Sequence, residues 1–225
     1  MFIVNPMPPQ LSPALMDLLA GVEPVKIGHF KTDRIMDYGM TALFPRRQAV
    51  GTAVTVKTAA ADGTIIPLVM GMLRRGDFLV IDRADDMKHA AWGGGLAYAA
   101  ALIGVAGIAI DGLVCDISTL RDHGVPTWHR GTSALTTQRL GLAGEINTDV
   151  VCGGVTVRAG DAIAADENGL VVMAPEEVAD VAAKAAAVKA GEPATRRRLD
   201  AGERLSDIRG TLAFIRSRGF TLDMP

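Results

Sequence analysis

Residues 92–116, WGGGLAYAAALIGVAGIAIDGLVCD, join a glycine-dense turn to an apolar helix and then to a buried strand that closes on a carboxylate. Three consecutive glycines let the backbone approach a ligand closely, and the helix that follows offers the unpaired amides of its first turn. An acid where a buried strand runs out beside a helix N-terminus occupies the usual ligand position of α/β folds. Left alone there the carboxylate would suffer desolvation, which pairing with a hydrated hard cation relieves. The stretch therefore predicts a pocket for a small carboxylate, with the amides of Gly93, Gly94, Gly95 and Leu96 holding the anion and Asp116 as metal ligand. The competing reading is structural, with glycines needed only for packing and an aspartate that caps a loop.

On the N-terminal side, AVGTAVTVKT at 49–58 alternates and is rich in valine and threonine, which predicts a strand. Residues 64–73 read as a helix with Ile65, Leu68, Val69 and Leu73 inward, and FLVID at 78–82 as the next strand. Strand, helix and strand then recur, so a partly parallel sheet with helical crossovers is expected. Ser12 and Pro13 begin a helix that Gly21 ends, and a second short helix is expected from Thr32 to Gly39. Beyond Pro126 the texture changes to short strands divided by glycine turns, with Asn168-Gly169 suited to a primed hairpin turn. The GD pairs at 76–77 and 160–161 read as tight turns in which the aspartate caps local amides. Pro175-Glu176-Glu177 starts a helix through Ala187, Gly191-Glu192-Pro193 stops it, and residues 196–218 form charged helices. The organisation expected is a domain over 1–195 and a helical extension over 196–225 that covers the core or packs on a neighbouring subunit.

Composition bounds the function. A chain of 225 residues that is 49% hydrophobic supports one sizeable core. With 23 basic against 25 acidic residues, no general field attracts a polyanion, and no direct nucleic-acid partner is expected. Two cysteines in apolar surroundings suit a reducing, cytoplasmic setting. MFIVNPMPPQ lacks the basic start and long apolar run of a secretory signal. The apolar run at 96–114 is broken by glycines and followed by Asp116, so a buried helix, turn and strand fit it better than a membrane span.

Among further candidates, His89 lies just before the glycines among Asp85, Asp86 and Lys88 and could act as acid or base, or simply face solvent. Arg121 and Arg130 could reach a substrate anion, and Arg130 is taken as the catalytic candidate with Asp116 and His89. His29, His123 and His129 show no zinc-ligand spacing, and Cys115 has no nucleophile elbow.

GTAVTV at 51–56, RRGDFLVID at 74–82, the stretch at 92–116, VPTWHRG at 125–131 and GGVTVRAGDAIAADENGLVVM at 153–173 together resemble the RraA-like family. That family contains the regulator of ribonuclease activity A and the metal-dependent 4-hydroxy-4-methyl-2-oxoglutarate aldolases. The resemblance implies an α/β fold, the swivelling β/β/α-type domain, with mixed sheets and flanking helices, assembled as a homotrimer or homohexamer. It implies that the glycine-loop amides hold pyruvate and that Asp116 contacts Mg²⁺ or Mn²⁺. The arginine that immediately precedes the aspartate in the aldolases is Cys115 here, counted with the substrate-binding residues, and the acid three residues after it is Thr119. The function implied is a divalent-metal-dependent lyase, aldolase or decarboxylase, acting on a small 2-oxo or hydroxy acid through an enolate. The alternative is a noncatalytic binding or regulatory protein of the ribonuclease-regulator type, which the missing arginine favours.

Overall fold

The computed structural model describes residues 1–222, which divide into two compact units, residues 1–185 and residues 186 onward. The first unit is built on four strands that lie side by side and parallel: β3 (Ala49–Thr58), β4 (Asp77–Asp82), β6 (Gly107–Val114) and β7 (Thr127–Thr132). Each crossover carries a helix, α3 (Ile65–Met70), α4 (Gly94–Ile103) and α5 (Ile117–His123) in turn. Strand β4 is buried at every position, as a strand covered on both faces must be.

The two-residue period of a strand sorts the core into two layers. Val56, Ile81 and Ile110 face the helices and pack with Ile66, Val69, Ala97, Ala100 and Leu120. The alternate residues Ala53, Val80 and Ala109 face the hairpin of β9 (Val150–Cys152) and β10 (Val155–Val157), where Val150, Cys152 and Val157 meet them. One edge of β3 is shared: β11 (Ala162–Asp166) pairs its first half, and β8 (Gly144–Ile146), itself flanked by β1 (Phe2–Val4), pairs its last three residues. At the other end β2 (Thr41–Ala42) closes on β7, while β5 (Ala90–Trp92) takes over from β4 along the edge of β6. Strand β12 (Gly169–Met173) pairs β11, and this pair is covered by α1 (Pro13–Ala20), α2 (Pro24–Ile27) and the start of α6 (Val178–Asp200) through Leu19, Ile27, Val178 and Ala182.

Several local expectations hold. Ser12 caps α1 by accepting the Leu15 amide at 3.3 Å. The two GD turns are alike: Gly76 and Gly160 have φ of 84° and 95°, and Asp77 and Asp161 take the Arg74 and Arg158 amides at 2.7 and 2.8 Å.

Others are corrected. No helix forms at 32–39; the short helix is α2 instead, opened by Pro24, and Ile35 makes an isolated bridge to Val171. Helix α3 is six residues long, and its buried face is Ile65, Ile66, Val69 and Met70, so Leu68 points to solvent. The β11–β12 hairpin closes at the pair Asp166–Gly169, which puts Glu167 and Asn168 in the loop; only Gly169 has positive φ, 142°. The register is one residue earlier than a primed Asn-Gly turn because the Asp166 carboxylate takes the Asn168 amide at 2.8 Å. Gly191 and Pro193 do not stop α6, which runs on to Asp200. Proline removes one helical hydrogen bond, and the alanines, lysines and arginines around it carry the helix past the gap.

The second unit contains the rest of α6 with α7 (Leu205–Ile208) and α8 (Thr211–Ser217), whose side chains are not buried. Arg198 pairs with Glu203 at 2.6 Å across the turn after α6. Among the described residues no helix is long and apolar enough to cross a membrane.

Candidate functional site

Two strand ends and two helix starts meet at one corner of the first unit. Strand β5 ends at Trp92, and Gly93, in extended conformation, is the N-cap of α4. Beside it β6 ends at Val114, and Asp116 is the N-cap of α5. The Cys115 amide donates to the Trp92 carbonyl at 2.9 Å, which ties the two ends together. Gly93 has no side chain with which to cap α4, and Asp116 does so from the neighbouring strand: its Oδ2 accepts the Gly94 amide at 3.0 Å. The anion thus sits at the positive end of a ten-residue helix. The next two first-turn amides, Gly95 and Leu96, have no helical partner by position and meet no other acceptor among the described residues.

Asp116 takes this place at φ 54° and ψ 43°, left-handed geometry. For a residue with a Cβ that costs about 1–2 kcal/mol, a strain that concentrates at working sites. Two of the three glycines are sterically required. A Cβ on Gly93 would stand 2.7 Å from Cys115 Sγ and 2.8 Å from Asp116 Oδ2, and one on Gly94 would stand 2.8 Å from Thr119 Cγ2. Around Gly95 there is nothing within 4 Å, so the loop is open on that side. Cys115 and Thr119 thus wall the corner from below. Burial, then the Asp116 charge and its hydrogen bond, push the Cys115 thiol up, which keeps it a neutral thiol.

The structure brings Gly93, Gly94, Gly95, Leu96, Cys115 and Asp116 to one corner and leaves His89 and Arg130 outside it. His89 precedes β5, so three extended residues lie between it and Gly93 and put the two Cα atoms about 13 Å apart. Its Nδ1 lies 2.9 Å from Asp86, whose carboxylate also pairs at 2.9 Å with the fully buried Arg83. Arg130 turns to the hairpin face of the sheet. Its Nε donates to Asp111 at 2.6 Å and its Nη2 to Asp37 at 2.7 Å, and these two carboxylates raise the guanidinium pKa further. It is a tether between β6, β7 and the segment before β2. Arg121 lies on α5, and His123 packs against Tyr98 in a tilted ring contact with centroids 5.0 Å apart.

Arg83 and Asp62 are among the buried charges that sequence reading missed. Arg83 lies over Gly112, where a Cβ would come within 2.5 Å of its Cγ, and it donates to Thr58 and to the Ala60 carbonyl. Its one signal is the Arg-x-x-Asp spacing to Asp86, common enough on surfaces to pass unnoticed. Asp62 accepts the amides of Thr64, Leu140 and Leu142 at 2.9, 3.2 and 2.6 Å and pins a distant loop, which no local pattern reveals.

The corner offers a divalent cation one side chain, Asp116. Among the described residues no group of three His, Cys, Asp or Glu is placed to hold a metal ion. One carboxylate with water and substrate oxygens completing the shell is a usual arrangement for Mg²⁺, and the donor set fits that mode, not a closed protein cage.

Comparison with known proteins identifies the family and the fold. A profile of the RraA-like family, described as Aldolase/RraA, matches residues 12–172. A Halalkalibacterium halodurans protein, named provisionally as a 4-hydroxy-4-methyl-2-oxoglutarate aldolase, is 33% identical over 67% of this chain and 71% of its own length. An uncharacterized Methanocaldococcus jannaschii protein is 34% identical over 70% of this chain and 76% of its own. Among solved structures, Streptomyces coelicolor RraAS2, described as an unusual member of the RNase ES inhibitor RraA family, superposes with a TM-score of 0.74 at 24% identity, covering 85% of this chain and 98% of that one. An uncharacterized Pseudomonas syringae protein superposes with a TM-score of 0.75 at 21% identity over 91% of this chain and 99% of that one. The fold is that of these structures, and the chain belongs to the RraA-like, Aldolase/RraA family.

Proposed function

We propose that the protein is a lyase that releases pyruvate from a small 2-oxo diacid at the Gly93–Asp116 corner, with decarboxylation the leading reaction and aldol cleavage the second. The observation that carries this is the hydrogen bond from the Gly94 amide to Asp116, which joins the anion-binding helix start to the single carboxylate. The Gly95 and Leu96 amides, reinforced by the helix dipole, hold the substrate carboxylate. Asp116 is the residue that would hold Mg²⁺ or Mn²⁺, and such an ion supplies Lewis-acid stabilisation to the oxygen on which negative charge grows.

Two features order the reactions. Aldol cleavage needs a group to take the proton of the 4-hydroxyl, and His89 stands a strand length away, held by Asp86. Decarboxylation needs no such base. Cys115, a neutral thiol, also brings no positive charge to the place where the aldolase pattern has an arginine, so stabilisation of the growing anion would fall to the cation that Asp116 would hold. We assign the working form as a homotrimer or homohexamer, for which exposed Leu68, Tyr98 and Leu102 on α3 and α4 supply apolar surface.

The test is pyruvate release from oxaloacetate and from 4-hydroxy-4-methyl-2-oxoglutarate, with Mg²⁺ or Mn²⁺ and corrected for the metal alone. Turnover should fall about 10²-fold or more on Asp116→Ala. Turnover that ignores both metal and Asp116 refutes the proposal. A noncatalytic regulator of the RraA type is the second reading, favoured by Cys115; it predicts no turnover and capture of a ribonuclease from cell extract.

A further inference from the structure

A second polar site lies on the opposite face of the sheet. Lys57 on β3, Asp82 on β4 and Asp111 on β6 are direct cross-strand neighbours, one row across three parallel strands. They alternate with Val56, Ile81 and Ile110, which face the helices, so this row faces the β9–β10 hairpin. With Ala84, Asp85 and Val151 they line a cavity of about 400 Å³ near the carboxyl ends of β3 and β4, the edge where α/β sheets take ligands.

The charged groups in this cavity are unequal. Asp82 is engaged by the Ala84 amide at 2.7 Å and the Val151 amide at 3.3 Å. Asp111 is engaged by Arg130 at 2.6 Å and the Gly153 amide at 2.7 Å. Lys57 and Asp85 have no ion-pair or hydrogen-bond partner among the described residues, although both line the same cavity. Asp85 is held at the rim by an unusual turn in which Ala84 and Asp85 both have positive φ, 48° and 63°. Alanine gains nothing from that geometry, and two such residues in succession cost about 2–4 kcal/mol. Strain of this kind persists where a turn must present a group in one place.

One ammonium and one carboxylate that do not reach each other, facing a shared cavity, call for a ligand that carries both charges. A simple anion would meet Lys57 but also three carboxylates; a simple cation would meet the carboxylates but also Lys57. The volume lies at the small end of ligand pockets, about 300–1,000 Å³. We propose that the cavity lined by Lys57, Asp82, Asp85 and Asp111 binds a free α-amino acid, its carboxylate on Lys57 and its ammonium on Asp85 and the outer lone pairs of Asp82.

The proposal is independent of the lyase reading, because the row and the Asp116 corner occupy opposite faces of the sheet. Its test is ligand-observed NMR on the full chain with three matched probes: L-serine, 3-hydroxypropanoate, which lacks the amine, and ethanolamine, which lacks the carboxylate. L-serine should bind saturably and at least tenfold more tightly than either control. Lys57→Gln should weaken L-serine at least tenfold and leave ethanolamine unchanged; Asp85→Asn, which tolerates the same backbone, should weaken both amines. Asp116→Asn should leave all three unchanged, which keeps the two sites distinguishable. Absence of saturable L-serine binding at millimolar concentration, equal binding of a control, or indifference to Lys57→Gln overturns the proposal.

Discussion

Alanine at Gly94 and alanine at Gly95 should have opposite effects on stability, although the two positions are adjacent in one helical turn. In a helix, Gly→Ala alone contributes about 0.5–1 kcal/mol by restricting the unfolded chain. At Gly95 a new methyl meets nothing within 4 Å, so that gain should appear in full. At Gly94 the methyl would lie 2.8 Å from Thr119 Cγ2 and 3.1 Å from Thr119 Cβ, well inside carbon contact distance. Overpacking of this degree costs about 1–3 kcal/mol, so after the propensity gain Gly94→Ala should be destabilised by about 0.5–2 kcal/mol. The variants should therefore differ by about 1–3 kcal/mol in urea unfolding at fixed protein concentration, with unchanged slope. Thr119→Ser removes the obstructing methyl, and in a double-mutant cycle it should recover about 1 kcal/mol of the Gly94→Ala loss. Equal stability of the two alanine variants, or a cycle with no coupling to Thr119, would show that the corner is not packed as described and that the Asp116 hydrogen bond rests on something else.

The remaining expectations concern one buried acid, Asp62, and the two thiols. Burial works to raise the fully buried Asp62 carboxyl, but the Thr64 hydroxyl and the amides of Thr64, Leu142 and Leu140 together hold it well below the usual carboxylate range. Its contribution is therefore complete above the unfolded value of about 3.9 and is lost as pH falls through the depressed folded value. Asp62→Asn, which faces an amide N–H with another donor, should cost about 2–4 kcal/mol at neutral pH by chemical unfolding, with the gap to the parent narrowing below about pH 4; a gap independent of pH refutes the assignment. Cys115, its thiol pushed up by burial and by Asp116, should react with iodoacetamide more slowly than free cysteine at about pH 8, and Asp116→Asn should speed it. Buried Cys152 should react only on unfolding, and equal rates for all thiols would remove the claim.

Near neighbours in sequence were the legible part. The pairing of Gly93–Leu96 with Asp116 could be read because a strand and its following helix, and the next strand and its end, form one continuous βαβ unit of fixed geometry. The GD turns and the Ser12 cap were legible for a related reason: donor and acceptor lie three residues apart, and the turn itself brings them together. His89 was attractive by its closeness in sequence to the glycines and Arg130 as a cation able to reach a substrate anion, yet position along the chain says nothing about which way a strand residue faces.

By itself the sequence determined the parallel β/α core, the family and the corner that closes on Asp116, because hydrophobic period, turn chemistry and helix starts act over a few residues. Only the tertiary structure decided that Arg130 is held by Asp37, 93 positions away, that Asp62 anchors Leu140 and Leu142, and that Lys57, Asp82 and Asp111 stand in one row. Those partners come from different strands and loops, and a charged side chain settles wherever register and packing place its counter-charge.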